Sequence, residues 1–148
     1  MKALNIVAAL LGGLVSTSAI AAGDPEKGEQ LFGRCVACHV IIDNDNNLLV
    51  DGGITGPNLY GVIGRIAGTE NDYLNGGPRL PVGMFTDSMK DAGAAGLVWT
   101  EENLAAFVAN PIGFVREYTG NDRSRVNMSV RFPQGGEDIA AYLATFTQ

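Results

Sequence analysis

Five consecutive residues, Cys35-Val36-Ala37-Cys38-His39, constrain this chain of 148 residues more than any other part of its sequence. They contain both cysteines and the only histidine of the protein. The Cys-x-x-Cys-His spacing is typical of covalent haem attachment. Each thiol adds across one vinyl group of the porphyrin, and the two intervening residues place both sulfurs along one edge in a tight helical turn. We therefore predict one covalently bound haem c, with His39 as an axial ligand of its iron.

Other uses of two cysteines fit the sequence less well. An exported domain with two cysteines would normally suggest a disulfide, but here a histidine follows the pair directly. A thioredoxin-like redox pair requires a preceding strand, whereas the segment before Cys35 has a helical pattern. A zinc site needs two further ligands, and the chain has no other histidine or cysteine.

The single histidine limits how the second axial position of the iron can be filled. A bis-histidine haem is excluded, so the position holds a methionine, holds a weaker ligand such as lysine, or stays open. Met1 is expected to leave with the N-terminal segment, which leaves Met84, Met89 and Met128. Lone methionines usually fill gaps in a core. Met128 lies in an irregular polar segment without a helical apolar period, so the residues favour it, with Met84 second.

Residues 1–22 have the pattern of a secretory signal peptide: a charged start, an apolar run and an Ala-x-Ala end. An uncleaved membrane anchor is an alternative, but the apolar run is short for a span and Gly12-Gly13 interrupts it. A buried first helix is disfavoured by the cleavage-like end. We expect cleavage after Ala21 or Ala22, export to the periplasm and a single mature domain of residues 23–148.

The mature chain is acidic. Without Lys2, nine basic side chains stand against sixteen acidic ones, which gives a net charge of about −7 before any cofactor is counted. This balance argues against nucleic acid as a partner, because binding to phosphates needs a basic surface. It bears on solubility and on the steering of partners rather than on the fold. We expect a soluble monomer.

Start and stop signals predict an all-α domain of about three to five helices with long loops. The first helix has Asp24 as its cap and runs to Arg34. The second starts at Thr100 and is stopped by Pro111, and the third begins near Gly136. Glycine-rich loops separate them, and no alternating run is long enough to predict a sheet. So small a domain would be marginal alone, whereas a buried haem can form the centre of its core.

Further segments resemble the class I cytochromes c, and specifically the larger cytochrome c2 or c550 type of alphaproteobacteria. The resemblance extends over essentially the whole mature chain, and its motifs occur in the order of the family. Apart from the haem motif, the matching segments are Gly23-Asp24-Pro25-Glu26-Lys27-Gly28, Thr55-Gly56-Pro57-Asn58-Leu59-Tyr60-Gly61, Gly64-Arg65, Gly96-Leu97-Val98-Trp99-Thr100, Asn110-Pro111, Glu117-Tyr118-Thr119-Gly120 and Ala141-Tyr142-Leu143.

The resemblance implies roles for individual residues. Met128 matches the axial methionine of the family, and the carbonyl of Pro57 would accept a hydrogen bond from the ring of His39. Arg65 and Trp99 match positions that bond a haem propionate. The resemblance also implies that the first and last helices cross closely, with the partners Gly28, Phe32, Ile139 and Tyr142.

Three features depart from the family. Phe107 and Phe85 stand where tyrosines are common in the family, which removes two hydroxyls from the surroundings of the haem. The redox potential of this chain is therefore not expected to equal that of its relatives. Members of the family typically surround the exposed haem edge with lysines, whereas the mature chain has only Lys27 and Lys90. Arginines partly replace them, since four cluster in sequence around Met128 and one adjoins the haem motif: Arg116, Arg123, Arg125, Arg131 and Arg34.

The resemblance implies a mono-haem carrier of single electrons and not an enzyme. Its expected partners are the cytochrome bc1 complex as donor, and a cytochrome c oxidase or photosynthetic reaction centre as acceptor, with periplasmic dehydrogenases as other donors. Two alternatives stay open. A small haem peroxidase or gas-binding protein would need an open sixth position, and a membrane-tethered carrier would retain the N-terminal run.

Overall fold

The computed structural model of the chain describes residues 23–69 and 85–146. The expected signal peptide and Met84 lie outside these residues. Within them, five helices and a small antiparallel hairpin confirm the all-α class, and no helix has the length and apolar character needed to cross a membrane. The elements are α1 (Pro25–Phe32), β1 (Ile41–Ile42), β2 (Leu48–Val50), α2 (Asp87–Ala94), α3 (Glu101–Ala109), α4 (Pro111–Thr119) and α5 (Gly136–Ala144).

The three predicted helices are present, although α1 ends at Phe32 and not at the predicted Arg34. At the start of α1 the side chain of Asp24 accepts hydrogen bonds from two backbone amides of the first turn. At the start of α3, Thr100 and Asn103 exchange side-chain and backbone hydrogen bonds in a capping box. The third helix, α5, begins at Gly136 as expected.

Two helices and the hairpin were not predicted. Pro111 ends α3 as expected, but it also occupies the first turn of α4, which Asn110 caps. Helix α2 follows the cap Thr86 and is too short and too polar for a clear helical period. The strands β1 and β2 have two and three residues, which is below the length at which alternation becomes detectable.

Helices α1 and α5 cross closely, as the resemblance implied. Phe32 and Tyr142 pack with their ring centroids 5.3 Å apart, and Ile139 is buried beside them in the same core. Gly28 lies at the crossing, where a Cβ atom would overlap the backbone carbonyl of Asp138 and approach Tyr142 Cβ to 2.7 Å. The missing side chain therefore permits the contact between the two helices.

We predict that Gly28→Ala lowers the free energy of unfolding by about 2–3 kcal/mol, because neither backbone can move aside without opening the core. Gly33→Ala is the matched control. Gly33 ends the same helix with a helical φ of −50°, and the nearest neighbour of a Cβ there is Gln30 O at 3.5 Å. This change should leave stability unchanged or raise it by about 0.4–1 kcal/mol. Denaturant unfolding of the holoproteins measures both values, and equal losses would contradict the explanation.

Candidate haem site

A cavity of about 300 Å³ lies at the centre of the fold, within the size range of small-molecule sites in proteins. Its walls are mostly apolar and come from the turn after α1, the loop after the hairpin, the helices α2, α3 and α5, and the segment before α5. The cavity is lined by all seven residues that were predicted to form the site: Cys35, Cys38, His39, Pro57, Arg65, Trp99 and Met128.

The two cysteines lie in a hydrogen-bonded turn that continues from α1. The amide of Cys35 donates to Phe32 O at 2.7 Å, and the amide of His39 donates to Cys35 O at 3.0 Å. Burial raises the pKa of the Cys35 thiol to about 11, although the nearby charge of Arg34 acts in the opposite direction. A reactive redox cysteine has a lowered pKa. The environment of Cys35 therefore argues against a thioredoxin-like role.

The imidazole of His39 is held in one orientation. Its Nδ1 lies 2.7 Å from the carbonyl oxygen of Pro57, so Nδ1 carries the proton and Nε2 keeps its lone pair. Burial lowers the pKa of His39, and the Pro57 carbonyl only partly opposes this shift. Gly56 packs against the ring, where a Cβ atom would come within 2.7 Å of Nδ1. A neutral imidazole with a fixed tautomer is the form that binds iron.

The loop that supplies the Pro57 carbonyl is itself fixed by two polar side chains. Asn58 is fully buried, and its amide group exchanges hydrogen bonds of 3.1 and 2.9 Å with the backbone of Ile42 in β1. The guanidinium group of Arg65 donates to Asn58 O at 2.9 Å and also to Tyr60 O. The hairpin and Arg65 thus both stabilise the loop that orients His39.

Arg65 and Trp99 lie side by side because their segments pair in antiparallel fashion. Gly64 N donates to Trp99 O at 2.8 Å, and Trp99 N donates to Arg65 O at 2.9 Å. Both side chains are buried at the cavity wall. The Trp99 ring packs against Phe107, with 4.9 Å between the centroids. The pair is therefore placed where it could bond a propionate, and binding of that group remains a proposal.

Both methionines of the described residues contact the cavity. Met128 is partly buried, and Met89 on α2 is 7% exposed and belongs to the main core. The side chain of Met89 points inward because α2 presents it on the buried face with Ala92 and Gly93. Phe85 and Phe107 also line the cavity. Each therefore places an aromatic ring beside the haem site but supplies no hydroxyl group there.

Sequence reasoning missed two contributors to the site, Asn58 and the contact between Arg34 and Phe132. Asn58 follows Pro57 directly in the predicted motif, but a lone asparagine in a loop carries no signal of burial. The guanidinium carbon of Arg34 lies 4.5 Å from the ring centroid of Phe132, and both residues line the cavity. This cation–π contact joins segments almost a hundred residues apart, which no local pattern reveals.

The donor set and the shape of the cavity fit a haem. Two thiols lie next to a neutral imidazole at an apolar cavity, and the described residues contain no group of three or more His, Cys, Asp or Glu side chains that could hold another metal ion. No protein-family model matches the chain.

Curated proteins and solved structures match most of this chain. Cytochrome c2 of Rhodobacter capsulatus is 39% identical over 142 residues, which cover 96% of each chain. This chain belongs to the cytochrome c2 family. Cytochrome c-551 of Roseobacter denitrificans is 43% identical over 125 residues, covering 84% of this chain and 82% of that protein. The crystal structure of Rhodobacter capsulatus cytochrome c2 superposes with a TM-score of 0.75 at 41% identity, covering 85% of this chain and all of the other.

Membership of the cytochrome c2 family confirms three predictions. The resemblance to alphaproteobacterial cytochromes c2 and c550 was correct, the fold is that of a class I cytochrome c, and the cofactor is one covalent haem c. The chain is a mono-haem electron carrier of this kind.

Proposed function

We propose that the mature chain is a soluble periplasmic shuttle that carries one electron at a time between membrane complexes. Its donor would be the cytochrome bc1 complex or a periplasmic dehydrogenase, and its acceptor a cytochrome c oxidase or a photosynthetic reaction centre. The observation that carries this proposal is an apolar cavity lined by both thiols, a neutral imidazole and the Met128 thioether. The expected export of the chain after loss of residues 1–22 supports the compartment.

The proposed axial ligands of the iron are His39 and Met128. When bound, the haem supplies one-electron cycling between the ferric and ferrous states. Burial favours the neutral form of His39, and the Pro57 carbonyl fixes the orientation of its ring. A soft thioether favours the reduced iron and raises the potential. Because both side chains are fixed by the fold rather than by substrate, we propose a carrier and not an enzyme.

Arg65 and Trp99 are proposed to bind a haem propionate. Arg65 already donates to the backbone of Asn58 and Tyr60, which leaves its guanidinium group firmly placed at the cavity wall. A cation beside a propionate stabilises the negative charge of that group in a partly buried place. The two residues would then fix the orientation of the haem as well as its charge balance.

A redox-titrated absorption spectrum of the mature holoprotein tests the proposal. We expect thioether-bound haem, the methionine-to-ferric-iron charge-transfer band and a reversible one-electron transition. A ferrous spectrum that shifts at once with carbon monoxide would instead indicate an open sixth position, as in a peroxidase or gas-binding protein. Recovery of the protein in membranes with an intact Met1 terminus would favour the tethered alternative.

The arginines near Met128 are proposed to form a basic docking patch on an otherwise acidic molecule. The side chains of Arg123, Arg125 and Arg131 are exposed, and so is that of Arg34 next to the haem motif. Only two acidic residues, Glu117 and Asp122, accompany the cluster along the chain between residues 116 and 131. Such an asymmetric charge distribution steers the haem edge toward an acidic partner.

Removing one arginine of this patch should slow association with an acidic partner. We predict that Arg131→Gln lowers the bimolecular rate with a detergent-solubilised cytochrome c oxidase by roughly twofold to fivefold at low ionic strength. The difference should shrink as salt screens the charges. Lys27→Gln removes one positive charge from α1, outside the patch, and should change the rate less. Stopped-flow kinetics over a range of salt measures both, and a wild-type rate that does not fall with salt would end the patch proposal.

A further inference from the structure

Residues 125–132 form the segment that carries Met128. Arg125, the first residue of this segment, is attached to the start of α2. Thr86 Oγ1 donates a hydrogen bond to Arg125 O at 2.6 Å, and Arg125 N donates one to Ser88 Oγ at 3.0 Å. Both main-chain groups of Arg125 are therefore bound by hydroxyls from the start of α2. Thr86 and Ser88 lie almost forty residues away in sequence, so this contact fixes the position of the segment relative to a separate part of the fold.

The other end of the segment is attached through the core. Phe132 is 2% exposed, and its amide donates to Val108 O at 2.8 Å. Its ring also lies under the guanidinium group of Arg34. Between the two ends, residues 126–130 line the cavity. Met128 is thus carried on a short connection whose two attachments differ in kind.

The two attachments also differ in strength. Burial of a phenylalanine ring is among the strongest single contributions to a small core. The two hydroxyl bonds at Arg125 are exposed to solvent, where water competes for the same groups, so each bond contributes less than the buried ring does. A segment held in this way opens first at its weaker end.

We infer that Thr86 and Ser88 are positioning residues that hold the Met128 thioether on the haem iron, and that methionine dissociation begins by release of Arg125 from α2. This inference rests on the proposed assignment of Met128 as the axial ligand. It goes beyond that assignment because it explains what sets the rate at which Met128 dissociates from the iron. The two hydroxyls do not touch the haem iron and act through the backbone of Arg125.

Ser88 separates this role from helix stability. Thr86 is also the cap of α2, because its Oγ1 accepts from Met89 N at 3.3 Å, so Thr86→Val weakens the helix as well as the attachment. Ser88→Ala removes only the bond from Arg125 N and places a good helix former in α2. Thr86→Ser keeps both hydrogen bonds and should restore wild-type behaviour.

The test is the binding of imidazole to the ferric holoprotein, because an added imidazole can reach the iron only after Met128 leaves it. At high imidazole concentration the observed rate reaches a plateau equal to the rate of methionine dissociation. We expect Ser88→Ala to raise this plateau by about threefold to tenfold, the effect of one hydrogen bond. Thr86→Val should raise it at least as much, and Thr86→Ser should leave it near the wild-type value.

Thr145→Val is the matched control. Its hydroxyl donates to Tyr142 O at 2.7 Å at the end of α5, so the change removes a bond from a hydroxyl to the backbone outside residues 125–132. This variant should keep the wild-type plateau. A general loss of stability would raise the plateau in the control as well, which separates a structural effect from a positioning effect.

Two results would overturn the inference, and they are distinguishable. If wild-type protein shows the methionine charge-transfer band but Ser88→Ala and Thr86→Val keep its plateau, the hydroxyls do not hold the ligand, while the proposed function stands. If the wild-type band is absent and imidazole binds without a plateau, Met128 is not the ligand and both proposals fail.

Discussion

Acid–acetone extraction of the denatured Cys35→Ala, Cys38→Ala double variant should remove all of its haem, whereas the wild-type protein should keep all of its colour. The two thioether bonds are the only covalent links available, since the chain has no other cysteine. Without them the porphyrin is held by axial ligation and packing alone, which denaturation abolishes. The absorbance of the protein pellet and of the acetone phase measures the outcome.

The single variants provide the control for this experiment. Cys35→Ala and Cys38→Ala each keep one thioether, so their haem should stay with the denatured protein and only the absorption maximum of the reduced form should shift. The covalent attachment would be disproved if wild-type material matured in a competent host came out colourless. Because the haem would occupy the central cavity, the double variant purified without haem under native conditions should also show less helical circular dichroism than the wild-type holoprotein.

Replacing Met128 by leucine should convert the ferric iron from low spin to high spin and lower the potential by on the order of 100 mV. Leucine fills a similar volume but has no donor atom, so the change removes the ligand and keeps the packing. The methionine-to-iron band should vanish, and the ferrous form should bind carbon monoxide without delay. Absorption and electron paramagnetic resonance spectra, with a redox titration, measure these effects.

Met89→Leu is the natural comparison, because Met89 lines the same cavity from α2 and is more deeply buried. It should keep the charge-transfer band and the low-spin state, with a shift in potential that is small beside that of Met128→Leu. The assignment of Met128 as the ligand is wrong if Met128→Leu leaves the ferric spin state unchanged. If Met89→Leu instead gives high-spin iron and loses the charge-transfer band, Met89 is the ligand.

The cofactor and the main helices could be predicted from the sequence because their causes are local. The spacing of Cys35, Cys38 and His39 follows from the dimensions of the porphyrin edge. The start of α3 follows from a cap and acidic residues within one turn. The α1–α5 crossing at Gly28 is a tertiary contact, and it was available only through the resemblance to known cytochromes.

The unpredicted parts depend on contacts that only the folded chain makes. Helix α4 was not predicted because Pro111 was interpreted only as the end of α3. The same proline also occupies the first turn of α4. The inward side chain of Met89 depends on which face of α2 meets the core. The attachment of Arg125 to Thr86 and Ser88 joins distant segments through side-chain hydroxyls, which are common on any protein surface.

The walls of the central cavity come from segments spread over almost the whole described chain, from Arg34 to Leu143. Without the porphyrin, the apolar side chains on these walls would lose their contacts at the cavity, so haem binding should stabilise the fold. A chain that has not yet received its porphyrin should therefore be cut more readily by proteases. The amount of this carrier in the cell should then follow the supply of haem and of the attachment machinery more closely than the level of its messenger RNA.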